Sequence, residues 1–387
     1  MWRPLLRLGG MLAVAFVLSW GVIYDLSSIS YLAPMEKASD FTVDDFYQLV
    51  ADSRQVRRLD DKVVIVAVDG MSRQEIAGVI EAVDFCGPRA LGVDLLFNHP
   101  QPGDSLLVSA LSSCSVLVAP ECLAWADGAE LPAVVDGYIY DMVDAPRRGV
   151  VNLDVSDRRA TVRSFRHVVE ADDGSHDSFV TAMARQYYMG DEATMAQHRR
   201  DVSETIRFDG VDFDVIAGDD VLSREDDIRG KAVLIGTVDD RADMHPTPVD
   251  GDMPGVMVHA HALAMVLGGG YVNPTPEWVN WAIAVGLCLF FIVIQLWIGS
   301  HEAGNLFVRI FQVSTLLLIV LTGCHLYMRY GISVNFSRPL VMVAFGLMAV
   351  DVWVGGVWLF KASVRVLRRI YVRCRGLIGL KIKRRVL

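Results

Sequence analysis

The sequence predicts an α/β extracytoplasmic domain, with a mainly parallel sheet and antiparallel additions, carried on four transmembrane α-helices, one before it and three after. Three observations predict this. Apolar stretches at Leu8–Tyr24 and near Trp278–Ile298, Ile310–Met328 and Leu340–Phe360 each approach the ~20 residues that cross a bilayer. Between the first and second stretches, strand-like and helix-like runs alternate. Charge is also divided: Asp25 to Glu277 holds 44 of the 46 acids but 21 of the 36 bases, whereas the chain from Lys361 onward has ten bases and no acid.

Taken in order, the first stretch follows Arg3 and Arg7 and is longer than a cleavable signal core, so it reads as an uncleaved signal anchor over residues 1–24. The outer domain spans residues 25–277. It opens with a polar segment and a short helix near Asp44–Val50. The β-branched run Val63–Val68 then predicts a strand buried on both faces. Ser72–Val83 carries Ile76, Val79, Ile80 and Val83 at helical spacing. Strand Ala90–Phe97, helix Asp104–Leu111 and strand Ser115–Ala119 follow, an order that implies right-handed crossovers and parallel pairing. Gly149–Val155 and Thr161–Val169 read as a hairpin through Ser156–Arg159, Asp177–Met189 as a helix, and Ile206–Asp209 with Phe213–Ile216 as a second hairpin about Gly210. Strand Lys231–Gly236 leads to a helix near Pro254–Leu267, with Pro254 in the first turn, where its missing N–H is harmless. Residues 278–360 form the three-helix transmembrane region and 361–387 a basic tail suited to anionic headgroups. Basic flanks stay in the cytoplasm, which places both termini inside a bacterial inner membrane and the domain outside it.

The outer domain carries about −23 charges, which excludes a nucleic-acid binder, since phosphate neutralisation needs clustered Lys and Arg. Of six cysteines, Cys86, Cys114 and Cys122 lie outside. Cys86 and Cys114 each sit between a helix and the next strand, so one disulfide between them is expected. No metal-binding cysteine pair, nucleophile elbow or phosphate loop occurs, and the chain reads as a non-enzyme.

The segments Val63–Gly70 with Arg73, Arg89–Phe97, Asp104–Leu107 with Ala110–Leu111, Lys231–Gly236, Asp243–Pro248 and Pro254–Ala260 resemble the type-2 CHASE domain, an extracytoplasmic sensory module. The resemblance covers roughly residues 40 to 270 and extends to the span layout. It implies a sensor coupled to cytoplasmic output domains. The sequence has no output domain after the last span, so it implies action through a signalling partner.

Candidate site residues follow from strand order. Asp69 ends the first strand, Asp94 lies in the second, and the loop after Gly236 brings Asp239, Asp240, Asp243 and His245 to the same edge, with His259 early in the next helix. Ligands of open α/β sheets bind beyond the carboxyl ends of strands. These acids and imidazoles suit a ligand or a divalent cation. The structural alternative is that Asp69 caps the following helix while His245 and His259 brace the loop. No other cofactor is expected. His259 and His261, two apart on a helix, point away from one another. Arg73 either meets an anionic ligand or pairs with a nearby acid. Asp351, an ionisable group within a span, marks either a hydrogen bond inside the bundle or a contact to another subunit or partner helix. The leading reading is a sensory module acting through a partner, with membrane lipid around it and homo-oligomerisation through the spans as an option. The alternatives are a ligand-free scaffold of an envelope complex and, third, a metal-dependent hydrolase.

Overall fold

A computed structural model of the chain describes residues 8–19, 42–125, 130–135, 137–153, 160–189, 199, 202–298 and 302–383. They fall into two compact units: an outer unit within residues 40–273 together with 327–333, and a membrane unit within residues 1–39, 274–326 and 334–387.

The outer unit begins with α1 (Val43–Arg54), opened by a capping box in which Thr42 and Asp45 satisfy each other's backbone N–H groups. Strand β1 (Arg58–Ala67) follows, then α2 (Arg73–Phe85), capped in the same way by Ser72 and Glu75. Next come β2 (Ala90–Val93), α3 (Asp104–Ser113), β3 (Leu117–Ala124), β4 (Ala133–Val135) and β5 (Arg147–Val150). Short strands β6 (Ser164–Arg166), β7 (Val168–Ala171) and β8 (Gly174–Asp177) lead to α4 (Phe179–Tyr187). Then follow β9 (Ser203–Thr205), β10 (Val211–Ala217), β11 (Ala232–Gly236), the hairpin β12 (Met244–Thr247) and β13 (Gly251–Pro254), and α5 (Gly255–Gly268).

Seven strands form the main sheet in the order β10-β1-β11-β2-β3-β4, with β5 also on β3; every pairing is parallel except β3 with β4. Alternation along β1 divides the core. Val63 and Ile65 join the layer made by α4 and α5, while Val64 and Val66 join the layer made by α2 and α3. Helix α4 lies so close to β2 that a Cβ on Gly92 would stand 2.7 Å from Met183 Sδ and 2.8 Å from the Phe179 ring. That approach requires a residue with no side chain.

Three sequence expectations are corrected. Strand β2 stops at Val93, whose partner is Ile235 of β11, so Asp94 lies just beyond the carboxyl end rather than within the strand. Residues Thr161–Val169 do not fold back on Gly149–Val155: β5 pairs with β3, and β6 pairs with β9, while Ser156–Arg159 lie outside the described residues. The second expected hairpin is absent as well, since Val64–Ala67 of β1 offers β10 a parallel neighbour, with Val64 opposite Asp214 and Ala67 opposite Ala217.

In the membrane unit, α6 (Glu277–Ile298), α7 (Glu302–Tyr330) and α8 (Ser337–Lys383) contain three stretches long and apolar enough to cross a membrane. The apolar helix Leu8–Ser19 is shorter than a crossing needs within the described residues, and its Met11 and Ala15 pack with Ala284, Cys288, Met342 and Ala349. The tail does not begin as a separate element, because α8 continues without a break to Lys383.

Candidate functional site: a recess at the carboxyl ends of the parallel strands

Strand connections locate the recess. The chain leaves β1 and β2 for α2 and α3 on one face, but leaves β11, which lies between them, for α5 on the other. Neighbouring strands that send their connections to opposite faces leave a crevice outside their carboxyl ends. Asp69, Asp94 and the loop from Thr237 to Asp243 all lie at those ends.

Asp69 is committed to architecture. Its carboxylate accepts the backbone N–H of Val238 at 3.0 Å and of Asp239 at 2.8 Å, so it holds the loop after β11. It does not cap α2, because Ser72 fills that place. Asp240 caps the turn that follows through the N–H of Ala242 at 2.9 Å. Asp243 stands 3.3 Å from His245 Nε2, and its carboxylate covers Gly255, where a Cβ would come within 2.7 Å of it. The first residue of α5 is thus a glycine that lets an acid sit over a helix N-terminus, which the peptide dipoles favour.

Asp94 is different. Its backbone N–H donates to Ile235 O at 2.8 Å, but its carboxylate accepts no hydrogen bond from the described residues. The side chain is half-buried. Burial pushes its pKa above the usual carboxylate range; His259 opposes that shift, Asp243 adds to it, and His245 opposes it. Two groups that sequence reasoning missed share this field. The Tyr140 hydroxyl donates to Leu95 O at 3.0 Å and is pushed well up by burial and then by Asp94. The Cys122 thiol is raised by burial and then by Asp94. Both come from segments downstream of β2 with no motif to mark them.

His259 is 6% exposed and meets the Phe179 ring edge-on at 5.4 Å. His261 turns elsewhere, against Phe208 and Phe213 at 5.2 and 4.9 Å, as the two-residue spacing requires. The Nδ1 atoms of His245 and His261 are buried without a hydrogen-bond partner among the described residues.

Other candidates separate from the recess. Arg73 is buried, pairs with Asp104, donates to His99 O at 2.5 Å and lies over the Phe97 ring, which leaves no free face for an anionic ligand. The expected Cys86–Cys114 bridge is not formed. Both thiols are free, because Cys86 Sγ turns toward Val221 O while Cys114 faces the Val116 N–H and Asp84. Burial pushes the Cys114 thiol up to about 12. Among the described residues, no three His, Cys, Asp or Glu side chains converge to hold a metal ion. Asp351 lies in the other unit, 3.6 Å from Arg309.

A family model of the CHASE2 domain matches residues 13–297. No curated protein and no solved structure matches the chain. The match covers well over half of the sequence and contains every strand of the sheet that shapes the recess, so the chain belongs to the CHASE2 family of extracellular sensory domains.

Proposed function

We propose that the outer unit senses a small polar ligand in the Asp94 recess and passes its occupancy through the membrane helices to a partner protein inside the cell. Family membership supports an extracellular sensory role, and the three apolar helices support attachment to a membrane. The observation that carries the ligand reading is Asp94: a half-buried carboxylate with no hydrogen-bond donor among the described residues, in the electrostatic field of His259, Asp243 and His245. A half-buried carboxylate that no neighbouring side chain or amide satisfies is open to a ligand, and one that brings a donor or an amine would complete it.

A path for the signal would start at residues 327–333, which include the end of α7 and belong to the outer unit. Tyr327 is fully buried, stacks on Tyr47 at 5.5 Å and donates its hydroxyl to Asp209 at 2.9 Å. Arg207 lies over the same ring at 5.2 Å and pairs with Asp209 at 2.8 Å.

The test is a thermal-melting panel of small amines, including amino acids and polyamines, on the full chain in detergent. Asp94→Asn should raise the melting temperature of the unliganded protein at pH 7, because it removes a carboxylate that burial disfavours. It should also abolish the further rise that a bound amine gives the wild type. Amines that act equally on both proteins, or on neither, would sink the ligand reading.

A further inference from the structure

Between residues 303 and 387 Asp351 is the only acid, and α7 brings Arg309 to it. Their separation of 3.6 Å is too long for a hydrogen bond, so among the described residues the guanidinium's donors and the carboxylate's lone pairs are mostly unfilled. The two side chains are 59% and 63% exposed on the outside of the membrane unit. In a bilayer that surface faces hydrocarbon, where unsatisfied charge is costly.

Depth decides whether lipid headgroups relieve this cost. Arg338 pairs with Glu277 where α8 and α6 begin, which marks one end of the bundle. Asp351 is thirteen residues further along α8, or about 20 Å at the helical rise. Lys361, the first base of the tail, is ten residues beyond Asp351, about 15 Å away. An arginine can extend along a helix toward a headgroup, but the short aspartate side chain cannot. Asp351 therefore needs protein against it.

We propose that this surface is the contact between two copies of the chain, in which Arg309 of each copy meets Asp351 of the other across a two-fold axis. The patch carries one charge of each sign, so a second copy rotated by half a turn presents each charge with its opposite, as an isologous interface requires. A partner helix with a single charge would neutralise one member and leave the other exposed. The surrounding surface permits close approach. Gly355, one turn beyond Asp351, has nothing within 4 Å of the position of a Cβ, and Val313 and Met348 beside the pair are exposed apolar side chains.

The experiment counts subunits of the full chain in lipid vesicles at low protein density, by stepwise photobleaching. Wild type should be dimeric. Arg309→Asp makes the patch wholly acidic and Asp351→Lys makes it wholly basic, so each variant alone should lose about tenfold in dimer-to-monomer ratio. Mixing the two variants should restore dimers, although neither can form the pair within its own chain. A separate check places a single cysteine at Val352 in a background without other cysteines. Oxidation should then join two chains. A wild type that is monomeric at every density, single variants that dimerise as wild type does, or a mixture that stays monomeric would each overturn the proposal.

Discussion

His261 shows what burial does to one residue. It is 3% exposed between Phe208 and Phe213, and burial pushes its pKa down to about 4, with Asp250 opposing that shift, Arg57 adding to it, and the Arg207 carbonyl and Asp212 opposing it. In the unfolded chain an imidazole titrates near 6.5. Below that pH the unfolded state takes up a proton that the folded state refuses, so stability falls as pH drops from about 6.5 to about 4 and this group adds nothing further below. The loss is on the order of 3 kcal/mol. Melting curves of the full chain in detergent from pH 7 to 4 should show a steeper decline for wild type than for His261→Leu; parallel declines would refute the assignment. The sequence reveals that His261 and His259 diverge, because helical spacing requires it. It does not reveal which imidazole lies among aromatic rings, since Phe208 and Phe213 come from more than forty residues upstream.

Among elements, the end of α7 makes the most consequential contacts. Asp209 is 2% exposed and satisfied by Arg207 and Tyr327 together. Tyr327→Phe keeps the stacking on Tyr47 but removes one donor from a buried carboxylate, and should cost about 1–3 kcal/mol. A lower melting temperature with unchanged far-UV circular dichroism is the expected result; an unchanged melting temperature would mean the hydroxyl contributes nothing. Strands β1, β2 and β11 and helices α2, α3, α4 and α5 are legible because hydrophobic period and caps are local signals. Strand β10 is not legible as a parallel edge, because a run as short as Phe213–Ile216 fits a hairpin and a parallel edge equally well. Only the presence of β1 beside it decides between them. The hairpin of β12 and β13 also went unread, since Met244–Thr247 has no alternating pattern.

For the whole molecule, charge asymmetry predicts orientation: the ten bases from Lys361 onward favour a cytoplasmic position for that end. In a cysteine-free background, a membrane-impermeant maleimide should label Trp125→Cys, an exposed position of the outer unit, in intact cells. Val386→Cys should react only after permeabilisation. Labelling of Val386→Cys in intact cells would reverse the topology.

The sequence alone determined the α/β class, the three apolar helices after the domain, the family, and the placing of Asp69, Asp94 and Asp243 toward one end of the sheet. Each follows from local periodicity, from composition, or from the rule that parallel strands point the same way. Tertiary structure decided what those residues do. Asp69 is taken up by two backbone amides, Arg73 by Asp104, and Cys86 and Cys114 by separate neighbours. Asp94 keeps its carboxylate without a donor among the described residues. The partner of Asp351 was likewise hidden, because Arg309 is 42 positions away along the chain and meets it only when α7 and α8 pack side by side. A hydrogen-bond partner is a property of three-dimensional neighbours, and sequence spacing specifies those only within a single helix or strand.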